Sequence, residues 1–133
     1  MANPNLQSSS TIYGNTAYIA PSTTSVDVAW TYNGSTALTG LTPTTGAVNK
    51  IDSMIVSNVS ASAATVTIAV ADNPTYASGT PYYLAYQIAV PVGATLIVFD
   101  KTTPLYITEN QSIGVTVGTA SALTVVASFE VIS

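Results

Sequence analysis

From Thr65 to Val70 the chain alternates with a period of two. Val66, Ile68 and Val70 fall on one face, Thr65, Thr67 and Ala69 on the other. A strand with one buried face demands that period, and a helix does not produce it. Just upstream, the segment beginning at Lys50 carries Ile51, Ile55 and Val59 on one face and Met54 and Val56 on the other. Apolar residues on both faces imply a strand that is covered on both sides or meets another subunit. The small residues Ser60 to Ala63 separate the two strands, and the Asn58 side chain is placed to bond nearby backbone. Lys50 to Ala71 is therefore expected to form a central hairpin.

The rest of the chain repeats this pattern of strand and polar loop. Ser25 to Tyr32 puts Val26, Val28, Trp30 and Tyr32 on one face, and Asn33-Gly34 after it is a strong hairpin signal because both residues tolerate positive φ. Trp30, the single tryptophan, is read as a core anchor rather than a ligand platform. Tyr82 to Val90 sets Tyr82, Leu84, Tyr86, Ile88 and Val90 on one face, with Tyr83 and Gln87 on the other. Short strands follow at Thr95 to Phe99, Leu105 to Thr108, Ile113 to Val117 and Leu123 to Ile132. Eight or nine strands at short spacing, with no helical period, predict an all-β antiparallel sandwich, of jelly-roll type in preference to immunoglobulin-like. Residues 1–24 are expected to be an N-terminal arm and residues 25–133 the sandwich domain. Ile12, Tyr13, Tyr18 and Ile19 are too apolar for a free tail, so the arm is expected to dock on a partner.

Composition narrows the function classes. Only 6% of the 133 residues are charged, with six acids against two lysines, and Arg, His and Cys are absent. A net charge of -4 argues against nucleic acid as a partner. Without His or Cys the usual nucleophilic pairings are missing, and Lys101 beside Asp100 reads as a solvated turn. Asp72-Asn73 and Glu109-Asn110 are single oxygen pairs suited to turns rather than to calcium. No enzyme, cofactor or metal site is expected. The longest nearly unbroken apolar run, Ile88 to Phe99, is interrupted by Pro91 and Gly93, so no membrane span is expected either. Met1 to Asn5 lacks the features of a signal peptide, and synthesis in a cytoplasm is the expectation. A small chain with so few charges is poorly protected against association, which points to a subunit that hides surface in a homo-oligomer. The tyrosines add a second hint. Tyr76, Tyr82, Tyr83 and Tyr86 gather around one loop and strand, and tyrosine supplies both area and a hydroxyl at interfaces. Tyr76 and Tyr83 join the four arm residues as candidate interface positions, and aromatic and amide side chains together are also suited to hold a sugar ring.

The run NKIDSMIVSNVSASAATVTIAV, followed by PYYLAYQIAVPVGATLIVFDKTTPLYITENQSIGVTVGTASALTVVASFEVIS, is similar to small virion structural proteins of tailed bacteriophages. The likeness covers about residues 48–133. It implies a β-sandwich on the virion surface. The expected role is a capsid decoration or cement protein, a homotrimer bridging subunits of the major capsid protein. The alternative is a carbohydrate-binding or adaptor module of a tail, neck or baseplate.

Overall fold

The computed structural model describes residue 4, residues 7–32 and residues 36–133. Ten strands account for most of these residues: β1 (Ile12–Ile19), β2 (Ala29–Tyr32), β3 (Thr36–Thr39), β4 (Val48–Asn58), β5 (Ala64–Ala71), β6 (Pro81–Val90), β7 (Thr95–Phe99), β8 (Leu105–Ile107), β9 (Ser112–Val117) and β10 (Leu123–Ile132). A single 3-10 turn, Tyr76–Ser78, interrupts the strand succession between β5 and β6. The larger sheet has the order β3-β2-β1-β10-β4-β7, with β8 pairing the other end of β4, and the smaller has the order β6-β5-β9. All pairings are antiparallel. The chain is an all-β sandwich, as its alternation requires.

The core lies between the sheets. Ile51, Met54 and Val56 of β4 and Val125, Ala127 and Phe129 of β10 meet Val66 and Ile68 of β5 and Ile113, Val115 and Val117 of β9. Trp30 is fully buried among them, and its Nε1–H donates to the Ile113 carbonyl at 3.2 Å. Next to it the two sheets are stitched together. Asp27 and Val115 exchange backbone hydrogen bonds at 2.8 and 2.9 Å, and the Ile113 N–H donates to the Gly40 carbonyl at 2.7 Å. One edge of the small sheet is thereby tied to the segments flanking the β2–β3 hairpin. Tyr32 pairs with Thr36 across that hairpin; the Asn33-Gly34 turn lies outside the described residues.

Four expectations are corrected. First, residues 12–19 are not an arm. β1 is an interior strand between β2 and β10, in register with β10 along its whole length from Ile12–Ile132 to Ile19–Val125, and Ala17 and Ile19 are in the core. The pairing with β2 covers Ala17 and Tyr18, beside the two buried residues. Second, β4 and β5 do not pair: they belong to different sheets. Both have an apolar face to bury, and they bury it by facing each other across the sandwich. Buried Asn58 holds the arch between them. Its Nδ2 donates to the Ser62 and Val90 carbonyls at 2.9 Å, and its Oδ1 accepts from the Ser60 N–H and Oγ–H at 2.8 Å.

Third, a bulge in β4 moves Ile51, expected on the face of Ile55, to the face of Met54 and Val56. Ser53 pairs Ser128 and Ile51 pairs Phe129, so Asp52 is an extra residue and the alternation changes phase there. Ile51, Met54 and Val56 all point inward, while Ile55 is exposed. Fourth, β6 carries two bulges. Ile68 pairs Ala85 and Ala69 pairs Tyr83, leaving Leu84 extra. Tyr86 and Gln87 together stand opposite Thr67. Gln87 takes φ +50 and its N–H donates to Thr67 Oγ1 at 3.0 Å. The phase change brings Tyr83 and Tyr86, expected on opposite faces, edge to face with ring centroids 4.8 Å apart.

Two outcomes follow from this packing. Trp30→Ala should cost about 3–5 kcal/mol in urea unfolding, because it opens a cavity and strips a partner from the Ile113 carbonyl. Deleting residues 1–20 should abolish the cooperative thermal transition and the strand signal in the far ultraviolet, since it removes an interior strand; a truncated protein that melts like the full chain would show β1 to be dispensable.

Candidate functional site

Two surfaces stand out. The first is the outer face of the large sheet. Following the registers across four strands, Ile97 of β7 lies beside Ile55 of β4, Ile55 beside Val126 of β10, and Val126 beside Tyr18 of β1. All four are exposed, Ile97 by 63%. At the usual strand spacing the row is about 14 Å long. Hydroxyl side chains flank it. Thr95, Ser57 and Thr124 form one neighbouring row, and Ser53, Ser128 and Thr16 the other. Beyond the Asp52 bulge the strands carry charge, and Lys50 lies across from Glu130 and Tyr106. The Lys50 ammonium is 3.5 Å from Asp52 and 3.9 Å from Glu130, and those carboxylates raise its pKa above the ordinary value. A central apolar row bordered by small neutral groups is cheap to desolvate, so this face is suited to contact another protein surface.

The second surface is aromatic and starts from the β5–β6 loop. Asn73 Oδ1 accepts from the Thr75 N–H at 2.8 Å, Asp72 Oδ1 from the Thr80 N–H at 2.6 Å, and Ser112 Oγ donates to the Asn73 carbonyl at 2.7 Å. These bonds fix the loop against β9 and hold Tyr76, in the 3-10 turn, over Gly114 of β9. A Cβ on Gly114 would lie 2.7 Å from Tyr76 Cε2 and 2.8 Å from Val26 Cγ1. Burial, and then the neighbouring Tyr83, raise the Tyr76 phenol above its usual pKa. Around the start of β6, Tyr82, Tyr83 and Leu84 join Val70, Asp72, Gln111 and, from the large sheet, Leu105 and Tyr106 to line an open groove of about 280 Å³. No His, Cys, Asp or Glu side chains gather in threes among the described residues.

The candidate interface residues scatter over this framework. Tyr18 lies in the apolar row. Ile12 and Tyr13 are exposed at the other end of β1, beside Ile132 and Val131. Ile19 is buried in the core and offers no surface. Tyr76 is half-buried over Gly114, and Tyr83 lines the groove. Ile55 and Ile97 had a signal in sequence, since β4 and β7 are apolar on both faces. Val126 is marked out only once β10 is known to lie beside β1 and β4. Tyr106 had no such signal, because its place in the groove depends on β8 pairing with β4. Comparison with protein-family models, with curated proteins and with solved structures gave no match.

The contact at Gly114 is directly testable. Gly114→Ala should destabilise the fold by roughly 1–3 kcal/mol in denaturant titration. Tyr76→Ala in the same chain should recover part of that loss, giving a clear non-additive term in the double-mutant cycle.

Proposed function

We propose that this chain is a non-enzymatic structural subunit that assembles through the outer face of its large sheet. On the likeness of residues 48–133 to small virion proteins of tailed phages, the assembly is a capsid decoration, a homotrimer that clamps neighbouring subunits of the major capsid protein. The observation that carries the reading is the row Tyr18–Val126–Ile55–Ile97 with its flanking hydroxyl rows. An apolar row of this kind gains free energy when covered, at about 25 cal/mol per Å² of apolar surface removed from water. The hydroxyls beside it find partners readily, and no charge within the three rows has to be stripped of water. With a net charge of -4, copies of the chain repel one another weakly, and contact through a neutral face keeps the acids apart.

Sedimentation velocity tests this reading. The wild-type protein should run as an oligomer at micromolar concentration. Ile55→Asp combined with Val126→Asp should run as a monomer with an unchanged far-ultraviolet spectrum, because like charges held together at an interface cost several kcal/mol. Particles that carry the chain should hold it in fixed ratio to their major capsid protein. A wild-type monomer, or an oligomer indifferent to the two aspartates, overturns the assignment of this face.

A further inference from the structure

The groove at the start of β6 has a chemistry of its own, on residues separate from the apolar row. Its walls come from both sheets. Tyr82, Tyr83 and Leu84 of β6 and Val70 of β5 stand across from Leu105 and Tyr106 of β8, with Asp72 and Gln111 completing the lining. Tyr82 and Tyr106 keep 61% and 43% of their surface exposed, so both side chains can be reached without any rearrangement of the core. The two polar groups are held in place. Asp72 Oδ1 is engaged by the Thr80 N–H, which leaves Oδ2 to accept; Gln111 Oε1 is engaged by the Thr108 N–H at 2.9 Å, which leaves the side-chain NH₂ to donate. Three phenols, an apolar floor, one acceptor and one donor make an amphipathic recess.

The composition of this recess selects among occupants. An anion would meet Asp72 with no lysine among the lining residues to balance it. Lys50, across from Tyr106 in the register of β4 and β8, has its ammonium paired with Asp52 and Glu130, so it brings no free charge to the groove. An added β-strand needs an unbroken edge, and β6 is interrupted by bulges at Leu84 and at Tyr86-Gln87. A pyranose ring suits all of these features. Its C–H face is apolar and packs on aromatic rings, its hydroxyls both donate and accept, and it brings no charge. The groove volume, near the lower end for small-ligand sites, holds one or two such rings and leaves the remainder of a chain in solvent.

We propose that this groove binds a neutral oligosaccharide, with Tyr82 and Tyr106 packing on a sugar ring and Asp72 and Gln111 hydrogen-bonding its hydroxyls. The test is an array of neutral hexose and N-acetylhexosamine oligosaccharides with sialylated and sulfated ones beside them, followed by calorimetric titration of the best neutral binder. Saturable binding is expected. Tyr82→Ala and Tyr106→Ala should each weaken it about tenfold or more, equivalent to about 1.4 kcal/mol. Tyr13→Ala, at the exposed start of β1 and outside the groove lining, should leave it unchanged, and Tyr106→Phe, which keeps the ring, should retain most of it. Melting curves confirm that each variant is folded. Binding of no neutral glycan at millimolar concentration, binding restricted to acidic glycans, or undiminished affinity in a folded Tyr82→Ala/Tyr106→Ala variant overturns the proposal.

Discussion

Strand β10 is hydrogen-bonded along both edges, to β1 on one side and to β4 on the other, and its inward side chains Leu123, Val125, Ala127 and Phe129 form much of the core wall. Almost everything else is placed by that double pairing. β1 positions β2 and hence Trp30; β4 positions β7, β8 and, through the Asn58 arch, β5 of the facing sheet. Because the partners of β10 are distant in sequence, the sheet closes only after long stretches of chain have been ordered, a topology associated with slow folding.

The molecule makes little use of charge. Its polar solutions inside the fold are amides and backbone groups: Asn58 satisfies four partners at the arch, and Asn49 donates to the Leu41 carbonyl at 2.8 Å. Asn49 Oδ1, by contrast, is buried without a partner among the described residues. It borders a small recess of about 70 Å³ lined by Tyr32, Leu38, Phe129 and Val131, room enough for an ordered water. On the outside, neutrality extends across the central rows of the large sheet, and Lys50, Asp52 and Glu130 collect beyond the β4 bulge. The same composition that keeps the core simple therefore leaves a broad face with little to hold water.

Much of the strand content was legible in the sequence, because period-two alternation in segments such as Thr65–Val70 and Ile113–Val117 has one physical meaning. The buried Trp30 and the turn-setting Asn58 were legible for similar local reasons. Strand partnership was not. Nothing local to Ile12–Ile19 distinguishes an interior strand from an apolar arm; the difference lies in β10, more than a hundred residues away. Bulges were equally hidden. One extra residue at Asp52, Leu84 or Gln87 reverses which side chains face inward beyond it, so face assignments for β4 and β6 made by strict alternation fail past that point. The apolar row and the groove both arise from such non-local pairings, which is why single residues in them, Ile55 or Tyr83, could be noticed while the surfaces themselves could not.

The irregular edge of β6 has a consequence for the behaviour of many copies at once. An outer strand with straight, unsatisfied backbone groups is a template on which further strands add without limit. Two bulges and a left-handed Gln87 give β6 a broken outline that a regular strand cannot match in register. At the other edge of the small sheet, β9 is capped by Asp27 and Gly40. Copies crowded together are thus steered away from open-ended addition of strands at either edge of the small sheet.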